Sequence, residues 1–241
     1  MVVAYDEAVV SCTESTRSGV GIGMICSVLG ATPPQIKALR ATPSLVRDLV
    51  LVVHDNRWKA LLEDVIRHTP AERQAELVAR QTRFEQSPAG SELAARTAQA
   101  RGAIAAAGPI ENVLDLGRAW PMLHFLMTGN VGGAGSPGDL LPGGENIGDE
   151  LGGLGQGRAC LHDAAQTREF SRLLAGQDVE RLKARVDLEA MVGLGVCAMP
   201  DEPGPDYEDE LREEIGTDFP RLRDYVGAMA DKGNGLLVWV L

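Results

Sequence analysis

Apolar positions recur along this chain with two periods. Residues 236–241, Leu-Leu-Val-Trp-Val-Leu, form an unbroken apolar run, the pattern of a strand buried on both faces. Residues 20–29 form a second apolar, partly β-branched run, read as a strand. The two are placed as partners that bring the ends of the chain together. Between them the period is mostly helical. Pro33 and Pro34 open a short helix over 35–39, and Thr42-Pro43-Ser44 opens another over 45–53. Residues 55–68 carry Trp58, Leu61, Leu62, Val65 and Ile66 at helical spacing. Thr69 and Glu72 have the spacing of a capping box for the next helix. An alanine-rich helix over 92–107 ends at Gly108-Pro109. The stretch 43–108 is thus read as a helical insertion that covers the core rather than building it, its charges forming a solvated face.

The segment 114–129 organises the rest. Read as one helix, it sets Trp120, His124 and Thr128 on one face at spacing i, i+4, i+8, with Leu116 extending the row. Pro121 falls early, where a missing N–H costs little. Gly129 is placed to end the helix in the left-handed conformation. Residues 129–157 then form a glycine-rich loop. A short strand at 158–161 leads through His162-Asp163 into a helix over 164–175. Asp178 caps the helix after that, with Val179, Leu182, Val186, Ala190 and Met191 inward. Residues 201–214 are strongly acidic and are read as a loop and the first turns of a helix, and 219–232 is the last amphipathic helix. Residues 1–18 are an irregular extension. Helices outnumber strands without βαβ alternation. The expected fold is therefore α+β: a helix-rich single domain over 19–241 around a small mixed sheet that includes strands 20–29 and 236–241.

Composition narrows the function. Only 4% of the residues are aromatic, so the core rests on Leu, Val, Ala and Met. A net charge of −11 repels phosphate backbones and anionic membrane surfaces, which sets aside nucleic acid and membrane as partners. Cys12, Cys26, Cys160 and Cys197 make no CxxC pair and have no histidine at finger spacing, so neither a zinc site nor any other cofactor is expected. The start of the chain lacks a basic segment followed by an apolar core, and reduced thiols in the cytoplasm are the expectation. The glycines at 19, 21 and 23 precede and enter a strand, the wrong order for a dinucleotide fingerprint, and 129–157 holds neither GK[ST] nor GxSxG.

Four pieces in order resemble one family. They are Gly23-Met24-Ile25 before a strand and short helix; Trp120 through Gly129, close to a W-x-x-L-H-x-L-x-T-G signature; Gly155 to Leu161 with Asp187, Met191 and a Pro200 exit; and a closing helix, glycine and Leu-Val-Trp strand over 225–241. Together they resemble the YfbM-like bacterial proteins, a family catalogued as a domain of unknown function. The resemblance spans roughly residues 20–241 and matches 43–108 poorly. This chain has Gly117-Arg118 where the family tends to have Asp-Lys, and of a Tyr-Gly-Pro-Ala-Arg-Tyr pattern it keeps the glycine and arginine within Leu154 to Ala159. The resemblance implies a compact α+β domain of the bacterial cytoplasm and brings no established reaction.

Two functional readings follow. In the first, His124 is a packed histidine, Thr128 bonds to the carbonyl one turn earlier, and the chain is a non-catalytic binding or interaction module with an unidentified protein partner. In the second, Trp120, His124, Thr128 and Arg158 line a pocket for a small molecule. There His124 acts as acid or base, Arg158 holds an anionic group and Trp120 stacks. Cys160 is the nearest nucleophile in sequence, and no partner for it is evident from spacing alone.

Overall fold

The structure is a computed structural model that describes residues 26–117, 119–129, 144–148, 159–194, 196, 204 and 206–240, side chains at 54–58, 61, 62 and 71 excepted. β1 (Cys26–Ala31) leads to α1 (Pro33–Ala41), α2 (Leu45–His68), α3 (Ala71–Glu85) and α4 (Pro88–Ala105). β2 (Val113–Gly117) and α5 (Ala119–Thr128) follow, then β3 (Glu145–Ile147), β4 (Ala159–His162), α6 (Ala164–Ala175), α7 (Val179–Lys183), α8 (Leu188–Gly193), α9 (Tyr207–Asp231) and β5 (Gly235–Val240).

The sheet runs β2-β1-β5-β4-β3. β1 and β5 pair along their whole length, from Cys26 opposite Val240 to Ala31 opposite Gly235, so the first and last apolar runs do meet. Every pairing is antiparallel, which corrects the expected mixed sheet: no helix crosses over to lay two neighbouring strands parallel. β5 is buried at all six residues, as its unbroken apolar run requires.

Alternation sorts the strand residues onto two faces. Cys26, Val28, Leu114, Leu116, Cys160, Leu236, Val238 and Val240 pack with residues of α5 to α9. Leu29, Ala31, Leu161, Leu237 and Trp239 pack with Ile36 and Leu39 of α1, Val46, Leu49 and Val50 of α2 and Ile104 of α4. The helical stretch 43–108 therefore builds the second layer of the core instead of merely covering it. The two predicted helices within 45–68 are one continuous helix of 24 residues, roughly 36 Å long at 1.5 Å per residue. Its first half lies on the sheet, and its second half forms with α3 an arm whose described side chains are mostly exposed.

Caps differ from the reading in two places. Ser44 precedes α2 without a side-chain cap bond, and Pro43 lies before the helix rather than in its first turn. The box expected at Thr69 does not form; Thr69 Oγ1 donates instead to Val65 O at 2.7 Å, and the helix after it begins without a side-chain cap. A hydroxyl one turn past a free helical carbonyl satisfies the helix behind it rather than the one ahead. Thr32 with Gln35, and Asp163 with Gln166, do form capping boxes. The segment 114–129 is likewise not one helix. Residues 113–117 are β2, and Leu116 belongs to the sheet rather than to the helical row. Within 129–157 the described part includes β3, an edge strand on β4; the remainder lies outside the described residues, as do 1–25.

Tyr225 of α9 fixes the long helix to the sheet. Its hydroxyl accepts from Gly30 N at 2.7 Å and donates to Asn112 O at 2.7 Å. β2 pairs with β1 only as far as Val113 opposite Leu29, so the phenol takes the next rung of the ladder. A β-carbon at Gly30 would fall on Met229 Sδ of α9, so any larger residue there would force that flexible side chain to move. Tyr225→Phe leaves the Gly30 amide without its acceptor. It is expected to lower the unfolding free energy by about 1–3 kcal/mol with no change in denaturant m-value, read by urea titration.

Candidate functional site

α5 carries the tryptophan and histidine picked out in sequence. Its apolar face, Trp120, Met122, Leu123 and Leu126, enters the core. Trp120 is 6% exposed and His124 5% exposed, whereas Thr128 lies at the exposed end of the helix. Thr128 Oγ1 donates to His124 O at 2.8 Å, and His124 Nε2 lies 3.4 Å from the same oxygen. Since the hydroxyl proton is committed to the carbonyl, the threonine oxygen is placed to accept from the imidazole. The helix ends as read from sequence: Gly129 has φ 72° and its N–H bonds Phe125 O at 2.7 Å. Arg185 Nη1 reaches the last turn from outside, donating to Leu126 O at 2.9 Å, where a cation also meets the negative end of the helix dipole. Trp120, His124 and Thr128 thus share one face of one helix. Arg158, the fourth residue of the expected pocket, lies outside the described residues.

A second cluster was missed in sequence. Cys160 and His162 alternate onto the same face of β4, and Cys160 Sγ lies 3.4 Å from His162 Nε2. Both residues are 1% exposed. Gly144, just before β3, sits over them: a β-carbon there would strike both Cys160 Sγ and the His162 ring. Burial pushes the Cys160 thiol up to about 11, with the Glu145 carboxylate adding to the rise. Burial also brings His162 down to about 4, against the opposing pull of Asp163. The pair is therefore a neutral thiol facing a neutral imidazole. The spacing C-x-H was visible in sequence, but it becomes a contact only if the segment is a strand through His162. Cys26, buried on the same sheet face, has its thiol raised by burial and then by Asp115.

Other chemistry is sparse. Among the described residues no group of three or more His, Cys, Asp or Glu could hold a metal ion. A narrow apolar crevice lies on the opposite sheet face, between Leu29, Leu39, Leu49 and Ile104, and its interior of about 10 Å³ has room for roughly one water. It adjoins neither α5 nor the thiol–imidazole pair. No described helix is long and apolar enough to cross a membrane.

These features define a helix-rich α+β domain on a five-stranded antiparallel sheet. Residues 22–239 match the family described as Domain of unknown function (DUF1877), and the chain belongs to it. Among solved structures it is similar to the Escherichia coli protein of unknown function YfbM. Identity is 14%, the TM-score is 0.51, and the match covers 90% of this chain and 99% of that one; at that identity the likeness shows the fold alone. No curated protein matches the chain. The sequence resemblance to YfbM-like proteins is thus borne out by both the family match and the fold.

The depressed pKa of His162 has a consequence for stability. Between about pH 4 and 6.5 the unfolded chain binds a proton at this residue that the folded chain does not. The stabilisation is therefore complete above the unfolded value and is lost as pH falls toward 4. Urea unfolding at pH 7 and pH 4.5 is expected to show a loss on the order of 2–3 kcal/mol from this group. In His162→Gln that part of the pH slope disappears.

Proposed function

We propose that this protein is a non-catalytic interaction module of the bacterial cytoplasm that engages a protein partner through the α2–α3–α4 arm. The observation that carries this reading is the seating of His124 and Trp120 in the core, with the Thr128 hydroxyl turned back onto its own helix. A group so placed stabilises the helix and offers little to a substrate. The arm supplies a surface instead. Val65 of α2 is 43% exposed, and Val78 and Phe84 of α3 are 46% and 37% exposed, so two consecutive helices leave large apolar side chains to solvent. Arg73, Arg80 and Arg83 are exposed on α3, and none makes an ion pair among the described residues. Residues 43–108 hold nine Lys or Arg and eight Asp or Glu, whereas the whole chain is at −11. The stretch that holds the arm is therefore close to neutral within an acidic protein. Exposed arginine beside aromatic and aliphatic groups suits a protein surface bearing carboxylates around an apolar patch.

His124→Ala is expected to lower stability by about 1–3 kcal/mol while leaving partner capture intact. A photo-crosslinker at Val78 in the full chain should trap a discrete partner that Arg80→Glu abolishes, and one at the exposed Glu189 of α8 should not. Loss of capture in a His124→Ala protein of normal stability would instead support a ligand pocket around α5.

A further inference from the structure

Independently of the arm, we propose that Cys160 and His162 form a peroxide-reactive thiol site beneath Gly144, with Cys160 as nucleophile and His162 Nε2 as its base.

Three observations meet at this point. The sulfur and the ring nitrogen are 3.4 Å apart, the distance of a thiol hydrogen bonded to an imidazole. Both belong to one rigid strand in the interior of the sheet, between β3 and β5, so their mutual geometry does not depend on a mobile loop. The third is the close approach of Gly144: a β-carbon there would strike both Cys160 Sγ and the His162 ring, so only a glycine backbone fits over the pair. A nucleophile with a base in contact is the arrangement that activates a weakly acidic hydroxyl or thiol. Burial holds both partners neutral at pH 7, so no thiolate accumulates and the base acts only as the reaction proceeds. The enclosure sets the ligand class. Both residues are 1% exposed, which excludes bulky or charged electrophiles and favours a small, uncharged peroxide.

The step balances without a further reagent. Cys160 Sγ attacks the near oxygen of hydrogen peroxide; an S–O bond forms and the O–O bond breaks. The thiol proton passes to His162 Nε2 and from there to the departing hydroxide, giving water. Sulfur is oxidised by two electrons, the peroxide is reduced, and Cys160 is left as a sulfenic acid. Cys26 provides an internal reference: it is equally buried, on the same sheet face, and no imidazole contact accompanies it among the described residues.

The full chain would be exposed to hydrogen peroxide, quenched with catalase and unfolded in the presence of dimedone, so that trapping does not depend on access. Labelling at each cysteine is then read by peptide mass spectrometry. Cys160 is expected to be modified at least tenfold faster than Cys26, and His162→Gln should bring it down to the Cys26 rate. A second measurement needs no variant. Base assistance holds the Cys160 rate nearly level from pH 7 to pH 5, with Glu145 and Asp163 the charged groups that act on the pair. Reaction through free thiolate falls about tenfold per pH unit over the same range. Equal rates at Cys160 and Cys26, an unchanged rate in a folded His162→Gln, or a tenfold drop per pH unit in the wild type would each overturn the proposal.

Discussion

The fold depends on β5 standing in the middle of the sheet. A strand with neighbours on both edges and helices on both faces has no solvent-exposed side, and all six of its residues are buried. It joins β1 and β2, from the start of the described chain, to β4 and β3, from its later half. Without it those two strand pairs have no hydrogen bonds in common, and two-stranded ribbons are marginal alone. The pairing of residues near 30 with residues near 236 is of very long sequence separation, so its loop-closure entropy must be met before the sheet rewards it.

That same constraint explains which parts of the fold were legible in sequence. A strand buried on both faces has no polar alternation, and the run at 236–241 declares itself by composition alone. Residues 114–129 misled because Leu114 and Leu116 alternate in a strand while also fitting a helical row with Trp120; two residues of period 2 cannot outvote a longer helical repeat. The tight turn at Gly117, with φ 50°, is what separates the two elements. The role of 43–108 was also hidden. Val46, Leu49 and Val50 have helical spacing whether they cover a core or constitute one, and only the sheet face they meet decides the matter.

The candidate sites divide along a similar line. His124 was visible because i, i+4 spacing on a helix makes a geometric statement in sequence. Cys160 and His162 were equally visible as letters, but period 2 carries weight only once β4 extends through His162, and the sequence ended the strand one residue earlier. Gly144 gave no local signal at all: its constraint is another strand's side chains, and a glycine in a glycine-rich stretch looks like every other.

Polar groups inside this domain fall into two kinds, and the difference shows where the architecture is held. Most are satisfied within a turn of their own helix, as Thr128 is by His124 O and Thr167 by Asp163 O. Such bonds travel with their element and do not specify how elements sit on one another. A few reach far along the chain. Tyr225 bridges Gly30 and Asn112, and the buried Gln35 donates through Nε2 to Gly108 O at 3.2 Å and Pro109 O at 3.0 Å. Gln35 also completes the Thr32 capping box, so one amide orders the start of α1 and the exit of the arm together. Arg96 of α4 lies 3.7 Å from Asp48 of α2, which ties these two helices to each other at the base, and Gln35 ties the exit of α4 to α1. The tip of the arm, around Val65 and Val78, has no such tie among the described residues. Specific polar contacts at the base and an apolar, arginine-bearing tip are what a docking element needs: a root that cannot slide and an end that is free to adapt.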